Sequence, residues 1–372
     1  MAPVSRMAAR LFELSHSQLL ELAAAGCDAS IEVKNRADAI LAAHKPLAQR
    51  AVEGVLLSSD LMPHLLAPLQ LEDGAAAAVC SQWANGWKAT SEGRRRLRQV
   101  ALDFPQDLLD KISLGTAVVP GGDELVVRSG STVRIFARDM SSGTSFELPS
   151  NIGDVGCIAT SEQFLYATAL GEKGLRCFTH AGTEVANYED PDKYIYSPVF
   201  APGGLLFCIL GDEGDLKLDE IIALDAQTLQ PRYRFGLSLL NYACKMVVAG
   251  EELFVCDNRN DRLQVFSLAG EHRRSITGEW KRPIALCFVK DRLYLVEQDD
   301  DDMDNEGELV NPLPGRRIVV LSLQGETLQV YTNPVEGQLF SGDLCYFDGK
   351  LLVPVQEYDA ESCVGVMALA GA

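Results

Sequence analysis

The stretch "CKMVVAGEELFVCDNRNDRLQVF", residues 244–266, holds three short apolar runs of strand length. Gly250 separates the first two, and the polar cluster Asp257–Asp261 separates the second from the third. Apolar runs this short, bounded by Gly, Asp and Asn, read as strands joined by tight turns. The third run continues into "LAGEH", a strand end followed by a turn at Ala269. The same ending recurs along the chain as "VRIFARDMSSG", "LRCFTHAGTE", "IIALDAQTLQ", "IVVLSLQGET" and "VGVMALAGA". With Asp139, Ala181, Ala226, Ala269, Gln324 and Ala370 as turn markers, the spacings are 42, 45, 43, 55 and 46 residues.

A period of ~40–50 residues with about four strands per unit is the signature of a β-propeller. A single four-stranded sheet of this size cannot bury both of its faces. Set radially, each sheet covers its neighbour. The sixth unit supplies only three strands before the chain ends: "DLCYFDG", "KLLVPVQEYD" and "CVGVMALAG". The missing outer strand is expected from Arg98–Phe104, paired with Cys363–Leu369 so that the last blade has no open apolar edge.

Upstream of residue 98 the pattern is helical. "SHSQLLELAAAG" has Ser15 or Ser17 as an N-cap and Gly26 as a stop, and "SIEVKNRADAILAAHK" ends before Pro46. The expected organisation is α plus all-β and multidomain: an N-terminal helical segment at 1–50, a three-helix module at 51–97 and a six-bladed propeller at 98–372.

Charge divides the chain at the same place. Residues 1–97 hold ten Lys and Arg against ten Asp and Glu, so the whole net charge of −19 falls on 98–372. Such an acidic chain disfavours nucleic-acid phosphates and anionic membranes as partners. The basic run Arg94–Arg98 is short and suits a helix C-terminus. No long uncharged apolar run spans a membrane, and no signal-peptide core is present. The ten cysteines form no C-x-x-C pair, and most lie inside apolar runs. That is the usage of free thiols in a reducing compartment, cytoplasmic or nuclear.

Two stretches resemble known families. "ELFVCDNRNDRLQVFSLAGE" (Glu252–Glu271) is similar to the NHL repeat, with Asp257, Asn260, Arg262 and the strand Leu263–Phe266 in the matching places. The other five units keep the strand spacing without these polar turn residues. "LLSSDLMPHLLAPLQLEDGAAAAVCSQWANGW" (Leu56–Trp87) resembles an F-box, through Leu57, Asp60, Leu61, Leu65, Leu66, Leu69, Asp73, Val79, Cys80 and Trp83 in register. Ser58 replaces the family proline, and Pro63 and Pro68 fall inside the expected first helix.

The F-box resemblance implies docking to a Skp-type adaptor of a cullin ubiquitin ligase, through Leu57, Asp60, Leu61, Leu65, Leu66, Leu69, Val79 and Trp83. The propeller then binds a substrate protein, and the chain performs no chemistry and needs no cofactor or metal. Two alternatives stand beside this. One is a gluconolactonase-like metal hydrolase with donors Asp154, Asn241 and Asp343 at the channel mouth. The other is a plain scaffold with a vestigial cap. The fifth unit carries an acidic insert, Gln298–Gly315. Asp302, Asp304, Glu306 and Gly307 mimic the opening of an EF-hand loop, but the closing position is Leu313. The insert reads as a solvated acidic loop that suits a basic partner.

Overall fold

The computed structural model describes residues 66, 81–101, 115–149, 152, 156–168, 173–211, 219–297, 315–340, 343–357 and 363–372. The chain forms two compact units, Met1–Arg98 and Gln99–Ala370. In the first, α1 (Ser81–Ala89) and α2 (Ser91–Arg94) meet at Thr90, whose N–H and hydroxyl both donate to the Gly86 carbonyl, at 3.1 and 2.9 Å. The helices expected upstream lie outside the described residues, apart from the helical residue Leu66. Among the described residues no helix is long and apolar enough to cross a membrane.

The second unit is a six-bladed β-propeller. After β1 (Arg98–Val100), blade one holds β2 (Thr116–Val118), β3 (Glu124–Ser129), β4 (Thr132–Ala137) and β5 (Ser142–Glu147). Blade two holds β6 (Ile158–Thr160), β7 (Phe164–Thr168), β8 (Gly174–Thr179) and β9 (Glu184–Glu189). Blade three holds β10 (Tyr194–Ala201), β11 (Leu205–Gly211), β12 (Glu220–Asp225) and β13 (Pro231–Phe235). Blade four holds β14 (Ala243–Ala249), β15 (Glu252–Asp257), β16 (Arg262–Ser267) and β17 (His272–Thr277). Blade five holds β18 (Pro283–Val289), β19 (Arg292–Glu297), β20 (Arg317–Ser322) and β21 (Thr327–Thr332). Blade six holds β22 (Gln338–Phe340), β23 (Cys345–Phe347), β24 (Lys350–Glu357) and β25 (Cys363–Ala370).

Every blade is an antiparallel meander in chain order, except the last. There β22 and β23 both pair with β24, at its two ends, and together make one interrupted inner strand. β1 lies outside β25, so the sheet runs β1-β25-β24-β22. The first strands of successive blades, β2, β6, β10, β14, β18 and β23, touch in turn and return to β2, which closes the ring.

Packing follows from the radial plan. Each sheet is covered on both faces, so its middle strands are mainly apolar: β15 and β19 are buried almost end to end, with charged residues at their ends. The outer strands alternate between half-buried and exposed residues. Cores form at the junctions between blades, such as Phe207, Ile209, Met246, Leu253 and Phe266 between blades three and four.

The recurrent turn between third and fourth strands has a backbone cause. Gly182, Gly270 and Gly325 sit at φ 84°, 85° and 93°. Their N–H groups close turns onto the carbonyls of Thr179, Ser267 and Ser322 at 2.9, 2.9 and 3.0 Å. In each of these blades the fourth strand also carries a register shift three residues beyond the glycine, at Val185, Arg273 and Leu328.

Candidate functional site

Of the residues assigned to adaptor binding, Leu57, Asp60, Leu61, Leu65, Leu69 and Val79 lie outside the described residues. Leu66 and Trp83 are described, and both are buried.

The loop joining blades three and four, Gly236–Tyr242, holds several residues in the left-handed region. Gly236, Ser238 and Tyr242 have φ of 85°, 68° and 55°. Glycine takes this conformation freely; a tyrosine does so only when its surroundings impose it. Here two buried carboxylates impose it. Asp257 Oδ1 accepts the Asn241 N–H at 2.7 Å. Asp219 Oδ2 accepts the Ala243 N–H at 2.6 Å. The Tyr242 carbonyl takes the Asn258 N–H at 3.3 Å, and the Asn241 carbonyl takes that of Arg259 at 3.2 Å. Tyr242 is thus gripped from blade three on one side and blade four on the other.

The loop's side chains divide sharply. Leu240 points into the core, whereas Leu237, Leu239 and Tyr242 are exposed. The Arg259 guanidinium stands 5.3 Å from the centre of the Tyr242 ring, within cation–π range. Burial pushes the Asp219 carboxyl up to about 6, against the opposing pull of the Ala243 N–H. Burial likewise raises the hydroxyl of Tyr196, which lies beside Asp219.

The NHL-like residues account for half of this grip. Asp257 is fully buried and also accepts from Asn260 Nδ2 at 3.0 Å and Arg262 Nε at 2.7 Å. Blade five repeats the carboxylate–arginine part of the device. Glu297, at the end of β19, accepts from Arg317 Nε and Nη2 at 2.6 Å each and from the Lys281 N–H at 3.1 Å. The acidic insert separates Glu297 from Arg317 in sequence and hid their equivalence. In blade one Arg128, one residue before the end of β3, donates to the Thr168 carbonyl at 2.6 Å and ties blade one to blade two.

Of the donors of the metal-hydrolase alternative, Asp343 is engaged in an ion pair, Asn241 keeps a buried side-chain oxygen without a hydrogen-bond partner, and Asp154 is not described. Asp154 and the calcium-like Asp302, Asp304, Glu306 and Gly307 lie outside the described residues. Asp343 forms an ion pair with Lys245, and the Asn241 backbone belongs to the loop just described. Among the described residues no three His, Cys, Asp or Glu side chains gather where one ion could be held. Cys157, Cys177, Cys208, Cys244, Cys256, Cys287 and Cys345 are free thiols.

No family model matches the sequence, and no curated protein matches it. Solved structures of similar shape include the computationally designed Ika8 protein, with TM-score 0.45, 12% identity and coverage of 69% of this chain and 70% of that one. A protein of unknown function from Bacteroides caccae aligns with TM-score 0.47 and 12% identity, over 66% of this chain and 94% of that one. A chain of the nidogen/laminin complex aligns with TM-score 0.47 and 14% identity, over 60% and 80%.

Proposed function

We propose that this chain is a protein-interaction module whose ring presents Leu237, Leu239 and Tyr242, with Arg259, to a partner protein. The observation that carries this reading is the conformation of Tyr242. A large aromatic side chain is held half-exposed in a left-handed backbone by two buried carboxylates. Strain of this kind persists where the surroundings over-determine it, and it concentrates at binding clamps. A tyrosine beside an arginine has the composition of an interface hot spot, and a rigid side chain loses little entropy when it is covered.

The N-terminal unit supplies the second half of the proposal. The F-box-like register from Leu57 to Trp83 supports a Skp-type adaptor as its partner. The chain then acts as the substrate receptor of a cullin ubiquitin ligase, and the ring holds the substrate protein. The two halves separate by mutation. Replacing Leu57 and Leu61 with Asp is expected to remove adaptor and cullin from material purified with the full chain, leaving ring-bound partners in place. Tyr242→Ala with Leu239→Ala is expected to do the reverse. Retention of adaptor by the Leu57 and Leu61 variant sinks the ligase reading. Retention of every other partner by the Tyr242 variant sinks the loop as the docking site.

A further inference from the structure

Among the described residues, the outermost strand of each blade has no strand on its outer side, and proteins commonly protect such edges with charge. Five edges here follow that rule. β1 carries Arg98, β5 ends in Glu147, and β9 begins and ends with Glu184 and Glu189. β13 has Arg232 and Arg234, and β17 has His272, Arg273 and Arg274. The exception is β21, "TLQVYT", which has no ionisable group apart from the Tyr331 phenol. It also exposes large apolar side chains, Leu328 at 45% and Val330 at 46%.

The backbone of β21 is set for a further strand. The Asn333 N–H donates to the Arg316 carbonyl at 2.8 Å, so residue 333 turns its polar groups inward to β20. In an antiparallel ladder this orientation alternates. Tyr331 and Gln329, opposite Ile318 and Val320, therefore also turn inward, while Val330 and Thr332 turn outward. Their side chains stand on one face with Leu328, in the exposed positions of the strand.

We propose that β21 is a junction at which two copies of this chain join edge to edge, as antiparallel strands centred on Val330. The strand is complementary to itself in this register. Val330 lies opposite its counterpart, Leu328 lies opposite Thr332, and Gln329 lies opposite Tyr331. Apolar and β-branched side chains meet across the strands and no like charges meet, which is the favourable case for cross-strand pairs. The same superposition on the outer strand of blade three sets Arg234 opposite its own counterpart. A six-residue junction is small, so the dimer is weak and concentration-dependent.

Sedimentation equilibrium of the full chain from about 5 to 500 µM tests this, with a lysine at the edge as the probe of charge protection. The wild-type chain is expected to pass from monomer to dimer. Val330→Lys is expected to raise the concentration at the midpoint at least tenfold, with its melting temperature unchanged. Leu328→Lys serves the same purpose if Val330→Lys does not fold. Val185→Lys, at an exposed valine on the outer strand of blade two, is the control and is expected to dimerise like wild type. A wild-type chain that stays monomeric overturns the proposal. So does a Val330→Lys chain that dimerises normally, or equal weakening by Val330→Lys and Val185→Lys. Binding of an unrelated extended segment to β21 of a chain that remains monomeric also overturns it.

Discussion

Lys245 of blade four forms its ion pair with Asp343 of blade six, passing over blade five. The two side chains are 13% and 14% exposed, and the Asp343 carbonyl also accepts the Thr116 hydroxyl of blade one at 3.5 Å. Burial lowers the Lys245 pKa, but the Asp343 carboxylate outweighs it and the net shift is upward. Three inner strands are thereby tied together at the middle of the ring.

Removing one partner leaves a charge in the channel wall without its counter-ion. Asp343→Ala is expected to cost about 3–5 kcal/mol in urea denaturation, the usual penalty for breaking a buried pair. Lys245→Met combined with Asp343→Leu is expected to recover most of that loss. A double variant as unstable as the single one shows that the channel needs the charges themselves. The raised Lys245 pKa means this stability is complete below pH 10.5 and disappears only as pH climbs through the folded value.

Asp219 has the opposite linkage. Its carboxyl rises from 3.8 to about 6 in the folded chain, chiefly through burial. Between those values the folded state binds more protons than the unfolded state, so this group lowers stability as pH increases through the window. Asp219→Asn keeps an oxygen for the Ala243 N–H and removes the titration. The variant is expected to be more stable than wild type above pH 6, by up to roughly 3 kcal/mol, and to lose the advantage near pH 4. Calorimetric melting of both proteins from pH 4 to 8 checks this; parallel curves refute it.

The outer position of β1 against β25 makes the last blade dependent on residues from the start of the ring. A chain beginning at residue 90 is expected to stay soluble, whereas one beginning at residue 102 exposes the β25 edge and aggregates. Light scattering after refolding distinguishes them. Equal solubility shows that β25 tolerates solvent.

The ring was legible because its signals are local. Glycine turns such as Gly270 recur at nearly fixed spacing, and strands buried on both faces leave unbroken apolar runs such as "LFVC". The inner strand of blade six was harder. Gln338–Phe340 is only three residues long and is interrupted before Cys345, so it lacks the length that marks a strand. The pairing of Glu297 with Arg317 was obscured for a related reason: an insert lengthens the sequence between two residues without moving them apart in space.

What the sequence by itself determined, then, is the six-fold repeat, because each blade is built from short-range alternation and turn chemistry that any one unit displays alone. What only the tertiary structure decided is where the chain is strained and where it is open. Tyr242 carries no mark of a left-handed residue, since its conformation is set by Asp219, some twenty positions earlier, and Asp257, fifteen positions later. Lys245 and Asp343 look like ordinary surface charges until the closed ring brings blades four and six together. The apolar character of β21 is plain in sequence, but its place at a rim with outward backbone groups follows from the order of strands in a sheet. Such relations depend on which distant residues share a junction, and no local pattern encodes that.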